Sequence, residues 1–402
     1  WVVLGEVLGV ALAWSFVALP FKRYTDRYGS ITVTDYLTSR FRDSGHTFRL
    51  IGVVIIVSMV TTYMAAQLTA SGKAFDAFLG TGYTGGVLLG AAVIFYYTTV
   101  GGFKAVAYSD GLQGFLMLGG LIVLPVVGVA AAGGWSAMVT ALRAADPILL
   151  EPMGTLGLSV GGIVSAVSFA GIGMAFLGAP QLLTRFMAAR SENEIVSGSL
   201  IAVLCIIVFD LGAVLTGMAG RVLVPGLSDP EMVLPILSAD LFPALFTGLF
   251  LVVVLAAIMS TADSVLLLAS SAVVRDVVQP VFRPDLDQRR LVLYGKLTTV
   301  VIGLVGLVLA LTEARLIFWF VLFAWSGLAS AFTPVVVCSL FWSGTTRAGA
   351  IAGMVSGFLA AVTWVIVFKS SFYELYEMWP GFLTGFGVTI IVSLMTTPPE
   401  GA

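Results

Sequence analysis

Residues 256–271 read AAIMSTADSVLLLASS and follow directly on the apolar run LFPALFTGLFLVVVL. Six of those sixteen side chains (Ser260, Thr261, Asp263, Ser264, Ser270 and Ser271) bring hydroxyl or carboxyl groups into a segment otherwise suited to hydrocarbon. In lipid such groups cost free energy unless they find a partner. On a helix, Ala257, Ser260, Thr261 and Ser264 share one face. The Ala257 carbonyl and the hydroxyls one turn on then form a strip of neutral oxygens, a donor set suited to a hard monovalent cation such as sodium. The same hydroxyls can instead bond back to carbonyls of the preceding turn or join two helices. The sequence leaves both readings open.

Three further places combine polar and helix-breaking residues. FAGIGMAFLGAPQLLTRF, residues 169–186, puts Gly171, Gly173, Gly178 and Pro180 in one apolar span. Such a segment either unwinds, offering its peptide groups to a small solute, or merely kinks at the proline. TTVGGFKAVAYSDGLQGFLM, residues 98–117, sets a Gly-Gly turn and Lys104 ahead of Asp110 and Gln113. Asp110 either favours the start of the next helix electrostatically or stands at the mouth of an ion path. Asp210 lies within LCIIVFDLGAVLTG, where a mid-helix carboxylate costs about 2.5 to 3.5 kcal/mol on insertion scales. It is expected to face the bundle interior, protonated or paired, and Asp263 raises the same question beside the hydroxyl strip.

Nothing in the sequence assembles a catalytic constellation, so no enzyme and no organic cofactor are expected. His46 is the one histidine and lies in a polar loop, Cys205 and Cys338 sit in apolar runs, and ASGKAF lacks the earlier glycine of a phosphate loop.

The elements that position these residues follow from composition. The chain is 59% hydrophobic and 10% charged, with a mean hydropathy of +1.04, whereas a soluble domain has about a quarter of its residues charged. A net charge of −2 and the lack of a basic cluster argue against a nucleic-acid partner. Continuous apolar runs predict helices that cross a bilayer, and barrel strands would alternate. Eleven spans are predicted, at 1–20, 50–79, 84–100, 110–132, 157–186, 196–219, 244–274, 292–312, 316–342, 348–368 and 380–397. The alternate loops then hold fifteen of the 20 Lys and Arg on one side and five on the other, the five being Lys73, Arg143, Arg221, Arg315 and Lys369. That bias puts residue 1 outside and the tail TTPPEGA in the cytoplasm of a plasma (inner) membrane. No linker divides the chain, so residues 1–402 form a single all-α, polytopic membrane domain. Trp1 already lies in an apolar segment, and the natural chain is expected to begin earlier.

ITVTDYLTSRF at 31–41, GGFKAVAYSDGLQ at 101–113, GAPQLLTRFMAA at 178–189, MSTADSVLLLASS at 259–271 and FAWSGLASAFTPVVVCSLFW with TRAGAIAGMVSG at 323–357 resemble, in order, the sodium/solute symporter family. The bacterial proline carriers within it are the most similar branch. The resemblance implies a LeuT-like fold of two inverted repeats: 1–132 would be the remainder of the first, 157–342 the second, and 348–397 two peripheral helices. The helix not represented would be the broken first core helix. Ala257, Ser260 and Thr261 then look like sodium ligands, the first through its carbonyl. Asp110 resembles the family's carboxylate on the ion path; Asp263 and Asp210 are grouped with it, although Asp210 is not part of the family's pattern. The helix carrying Pro180 is similar to the solute-binding helix, in which proline carriers have a Trp and a Tyr at the positions of Ile172 and Phe176. The expected function is sodium-coupled import of a small organic solute, proline first, with another amino acid or small carboxylate as runner-up. Symporter-like domains also serve as sensors, and a sensing domain is the expectation from a different class. Solute, sodium ion and lipid are the expected partners.

Overall fold

The computed structural model describes residues 1–312 and 317–397; Arg315, the first residue of the predicted ninth span and the end of the tail lie outside them. Every regular element among the described residues is helical. Ten helices are long and apolar enough to cross a membrane, and an eleventh apolar helix spans 17 residues. In chain order these are α1 Val2–Tyr28, α3 Thr47–Leu79, α4 Tyr83–Gly102, α5 Val106–Ala131, the broken pair α7 Val160–Gly171 and α8 Pro180–Ala188, α9 Glu192–Leu223, α11 Ala244–Phe282, α12 Gln288–Leu311, α13 Ile317–Phe341, α14 Arg347–Ser371 and α15 Met378–Leu394. Short helices α2 Val33–Arg40, α6 Trp135–Ala145 and α10 Val233–Leu241 lie between them.

Local chemistry sets the ends. Helices α9, α12 and α14 start on the Arg- and Lys-rich side, and in each a side-chain oxygen caps the first turn. Ser191 accepts from Glu194 N, Asp287 from Arg290 N and Thr346 from Gly349 N. The Gly-Gly turn between α4 and α5 is built at Gly102, whose φ of 63° suits glycine and reverses the chain ahead of Asp110.

Helices α3, α11 and α13 form the middle of the bundle. Met59, Val60, Met64 and Leu68 of α3 pack with Ile258, Val265 and Leu266 of α11 and with Leu328, Phe332 and Val336 of α13. Helix α1 lies against the segment linking α7 to α8 with almost no side chain between them. A methyl group at Gly5 would meet the Ala170 carbonyl oxygen at 2.1 Å, and one at Gly9 the Gly173 carbonyl oxygen at 1.9 Å. On the other flank, a methyl at Gly178 would lie 2.3 Å from Thr333 Cα in α13. The glycines thus let backbones touch around the linking segment.

One loop ties the two ends of the chain together. Asp43, between α2 and α3, accepts from Phe48 N at 2.9 Å, from Gly45 N at 3.2 Å, and from Arg347 Nη2 and Nε at 2.6 and 2.9 Å at the start of α14. Burial pushes the Asp43 carboxyl up, but the Phe48 N–H, the Arg347 guanidinium and the Gly45 N–H together hold it below its ordinary range. A depressed carboxyl adds stability that is complete above the unfolded-state value of about 3.9 and is lost as pH falls through the folded-state value. Asp43→Asn is therefore expected to lower the thermal midpoint at neutral pH by about 2 °C and to flatten its decline below about pH 4. Thermal unfolding of the detergent-solubilised protein checks this, and parallel acid profiles for both proteins would count against the assignment.

Candidate functional site

The hydroxyl strip has an unusual setting. Around it Ala256, Ile258, Ala262, Asp263, Val265 and Leu266 are buried, whereas Ala257, Ser260, Thr261 and Ser264 are all half-exposed. This face of the helix is thus only partly covered by packing. The Ser260 and Thr261 hydroxyls both donate to the Ala257 carbonyl, at 3.2 and 3.0 Å. Back-bonding of this kind satisfies the hydroxyl protons and leaves the oxygen lone pairs free. Further along, Ser264 lines a cavity of about 390 Å³ shared with Gln181, Arg185 and Ser271, which opens toward the Arg- and Lys-rich side.

Asp110 and Asp263 meet at the edge of this space. Arg185 Nη2, on α8, donates to Asp110 Oδ2 and to Ser264 Oγ, both at 2.6 Å. Ser264 Oγ also lies 3.4 Å from Asp263 Oδ1, toward which it donates. The remaining atoms are the informative ones: Asp110 Oδ1 is buried and lacks a hydrogen-bond partner among the described residues, and Tyr97 Oη and Asp263 Oδ2 are buried beside each other. Buried oxygens normally find partners, and a group of them beside carboxylate charge fits a hard cation. Sequence reasoning counted Arg185 only toward the loop charge bias; its place in the family-like segment GAPQLLTRFMAA was the available signal.

The glycine-rich segment is unwound, and the proline does not merely kink it. Helix α7 ends at Gly171, a 3₁₀ turn covers Ile172–Leu177, Ala179 is extended, and Pro180 begins α8 at the position where its fixed φ and missing N–H fit. Ile172 is buried against Leu322 and Tyr376, and its carbonyl accepts from Trp325 Nε1 at 3.3 Å. The Phe176 ring meets Trp325 edge-on, with centroids 5.1 Å apart. Trp325 of α13 therefore clasps both ends of the turn, a contact that sequence spacing did not suggest.

Asp210 stands apart from Asp110 and Asp263. It faces α1, where its carboxyl stands beside that of Glu6. Glu6 was missed in the sequence, although it is the one acidic residue in the apolar run 1–20.

Comparison with known proteins agrees with this geometry. The model of the sodium:solute symporter family matches residues 1–357. The high-affinity proline transporter PutP of Bacillus subtilis (strain 168) is 36% identical over 100% of this chain and 85% of its own length. A sodium/proline symporter of Staphylococcus aureus is 33% identical over 99% and 80%. Among solved structures, a Na⁺-coupled sialic acid symporter in a substrate-bound outward-open state shares the fold, with a TM-score of 0.78 at 16% identity over 100% of this chain and 84% of that one. A transporter of the nucleobase-cation-symport-1 family gives 0.56 at 13% identity, over 98% and 86%. Since the match runs through the unwound segment and the oxygen strip alike, the protein is a multi-pass membrane protein that belongs to the sodium:solute symporter family.

Proposed function

We propose that the protein imports proline together with sodium across the plasma (inner) membrane, with residue 1 outside and the C-terminus in the cytoplasm. One observation carries the mechanism: a half-exposed strip of oxygen donors on α11 leads to Ser264, which lines a cavity beside the helix that Pro180 begins. Ala257 O, Ser260 Oγ and Thr261 Oγ1 receive the sodium ion. Asp110, Asp263 and Ser264 take it on toward the Arg- and Lys-rich face, where Arg185 supplies the competing charge. The exposed peptide groups around Ile172, Phe176 and Pro180 receive the solute. The two-repeat division at 1–132 and 157–342, with 348–397 peripheral, is part of the same reading.

Proline is favoured by the named relatives, and the first alternative is another small amino acid or carboxylate, because Ile172 and Phe176 alter the solute segment. Energetically, a tenfold sodium gradient supplies about 1.4 kcal/mol and a potential near 100 mV about 2.3 kcal/mol per charge. Together these support a several-hundredfold solute gradient. Proteoliposomes with an inward sodium gradient are expected to accumulate radiolabelled proline, and to stop when potassium replaces sodium. Sodium-stimulated uptake of a different solute in the same vesicles, with none of proline, would overturn the substrate and retain the mechanism.

A further inference from the structure

Cations at the joint between α11 and α12 differ from most of those around them. On the same Arg- and Lys-rich side, Lys22, Arg23, Arg49, Arg185 and Arg347 are ion-paired with Asp26, Glu192, Asp35, Asp110 and Asp43. Arg283, just past the end of α11, and Arg289, Arg290 and Lys296, in the first three turns of α12, are all exposed. None of these four side chains makes an ion pair or hydrogen bond among the described residues. Between Arg283 and Lys296 the only carboxylates are Asp285 and Asp287, so the segment carries net positive charge.

Helix geometry sets these cations against lipid. Arg289 and Lys296 are seven positions apart, which is two turns and about 10.5 Å, so both stand on one face. On that face Val292, Leu293, Leu297 and Leu304 are between 47% and 58% exposed, an apolar stripe suited to acyl chains. A helical side chain leans toward the N-terminus of its own helix, and α12 begins on the Arg- and Lys-rich side. Lys296 therefore leans back out of the hydrocarbon toward Arg289, and its methylene stem lets the ammonium reach the level of the headgroups. Tyr294, one turn on from Arg290, is exposed too and has the amphipathic ring found at that depth.

Charge and shape together select the occupant. A soluble anion would use the cations and leave the stripe uncovered, and a zwitterionic lipid would bring its own ammonium among them. A lipid with a net negative headgroup uses both, its phosphate held by charge-assisted bonds from guanidinium and ammonium and its chains lying along Leu293 and Leu297.

We propose that Arg289 and Lys296, flanked by Arg283 and Arg290, form a binding site for one anionic phospholipid of the adjoining leaflet. The Gly295 carbonyl, next to Lys296, accepts from Ser270 Oγ of α11 at 2.8 Å, so the lipid rests on the helix that clasps the one bearing the oxygen strip. The site does not depend on which solute the protein carries.

Native mass spectrometry of the full chain in detergent reads the affinity for the first bound lipid. Phosphatidylglycerol and phosphatidylcholine with the same acyl chains are titrated against the parent protein and against two double variants. One is Arg289→Gln with Lys296→Gln; the other is Arg27→Gln with Arg190→Gln, which removes two exposed cations of the same side away from α12. Phosphatidylglycerol is expected to bind the parent more tightly than phosphatidylcholine does. The α12 pair should weaken it about 25-fold, from about fivefold per cation near an anionic headgroup, and the control pair should leave it nearly unchanged. Arg289→Lys with Lys296→Arg keeps both charges and should keep the preference, which separates lost charge from lost folding. Glycerophosphoglycerol, the same headgroup without chains, should not compete when in excess. Equal affinity for the two lipids, equal losses in the two glutamine pairs, full competition by the chainless headgroup, or a dimer formed through α12 that excludes the lipid overturns the proposal.

Discussion

Replacing Ser260 and Thr261 together with alanine is expected to raise the sodium concentration for half-maximal uptake by about 30- to 140-fold. The estimate takes about 1 to 1.5 kcal/mol for each lost oxygen partner, with each 1.4 kcal/mol a factor of about ten. The helix itself should tolerate the change, since alanine is the better helix former and both hydroxyls bond only within α11, to Ala257 O. That same back-bonding defines the competing account. If the hydroxyls merely satisfy themselves, removing them leaves no oxygen unsatisfied except a carbonyl already in the helix ladder, and sodium activation stays where it was. The measurement is therefore uptake against sodium concentration at fixed solute, paired with solute binding at saturating sodium. A right-shifted activation curve with unchanged saturating solute binding assigns the hydroxyls to the ion. An unshifted curve removes them from it.

Much of the architecture was legible because it is written in local chemistry. Long apolar runs predicted the spans, the Gly-Gly pair the turn at Gly102, and Gly171, Gly173, Gly178 and Pro180 the place where the seventh helix unwinds. Spacing also put Ala257, Ser260, Thr261 and Ser264 on one face; all four are half-exposed, and Ser264 among them lines the cavity. The partners were not legible. Asp110 meets Arg185 across 75 residues of sequence, Asp210 meets Glu6, and Trp325 reaches back to Ile172 and Phe176 from 153 and 149 residues away. Periodicity reports which way a side chain points on its own helix and is silent on which helix stands opposite. For the same reason Asp210 looked equivalent to Asp110 and Asp263 as a buried acid, although it belongs to a different interface.

Arg185 offers the second large effect, because its guanidinium occupies the carboxylate that the ion path needs. Nη2 bonds Asp110 Oδ2 and Ser264 Oγ at once, while Asp110 Oδ1 stays unpartnered among the described residues. A sodium ion arriving there meets a unit positive charge, worth about 4 kcal/mol at 4 Å and an effective dielectric near 20. Side chains 30% and 24% exposed for Arg185 and Asp110 mean that solvent screens part of this. Arg185→Gln is accordingly expected to tighten sodium binding about tenfold, equivalent to about 1.4 kcal/mol, and to slow turnover, since an ion held by two uncompensated carboxylates leaves slowly. Asp110→Asn should do the reverse, weakening sodium binding. Equilibrium binding of radioactive sodium and the maximal uptake rate, measured on the same preparations, separate this from a purely structural ion pair. If the pair only braces α5 against α8, both variants lower the thermal midpoint together and neither changes sodium affinity. Opposite shifts in sodium affinity from the two halves of one salt bridge show that both charges act on the ion, which a purely structural brace does not do.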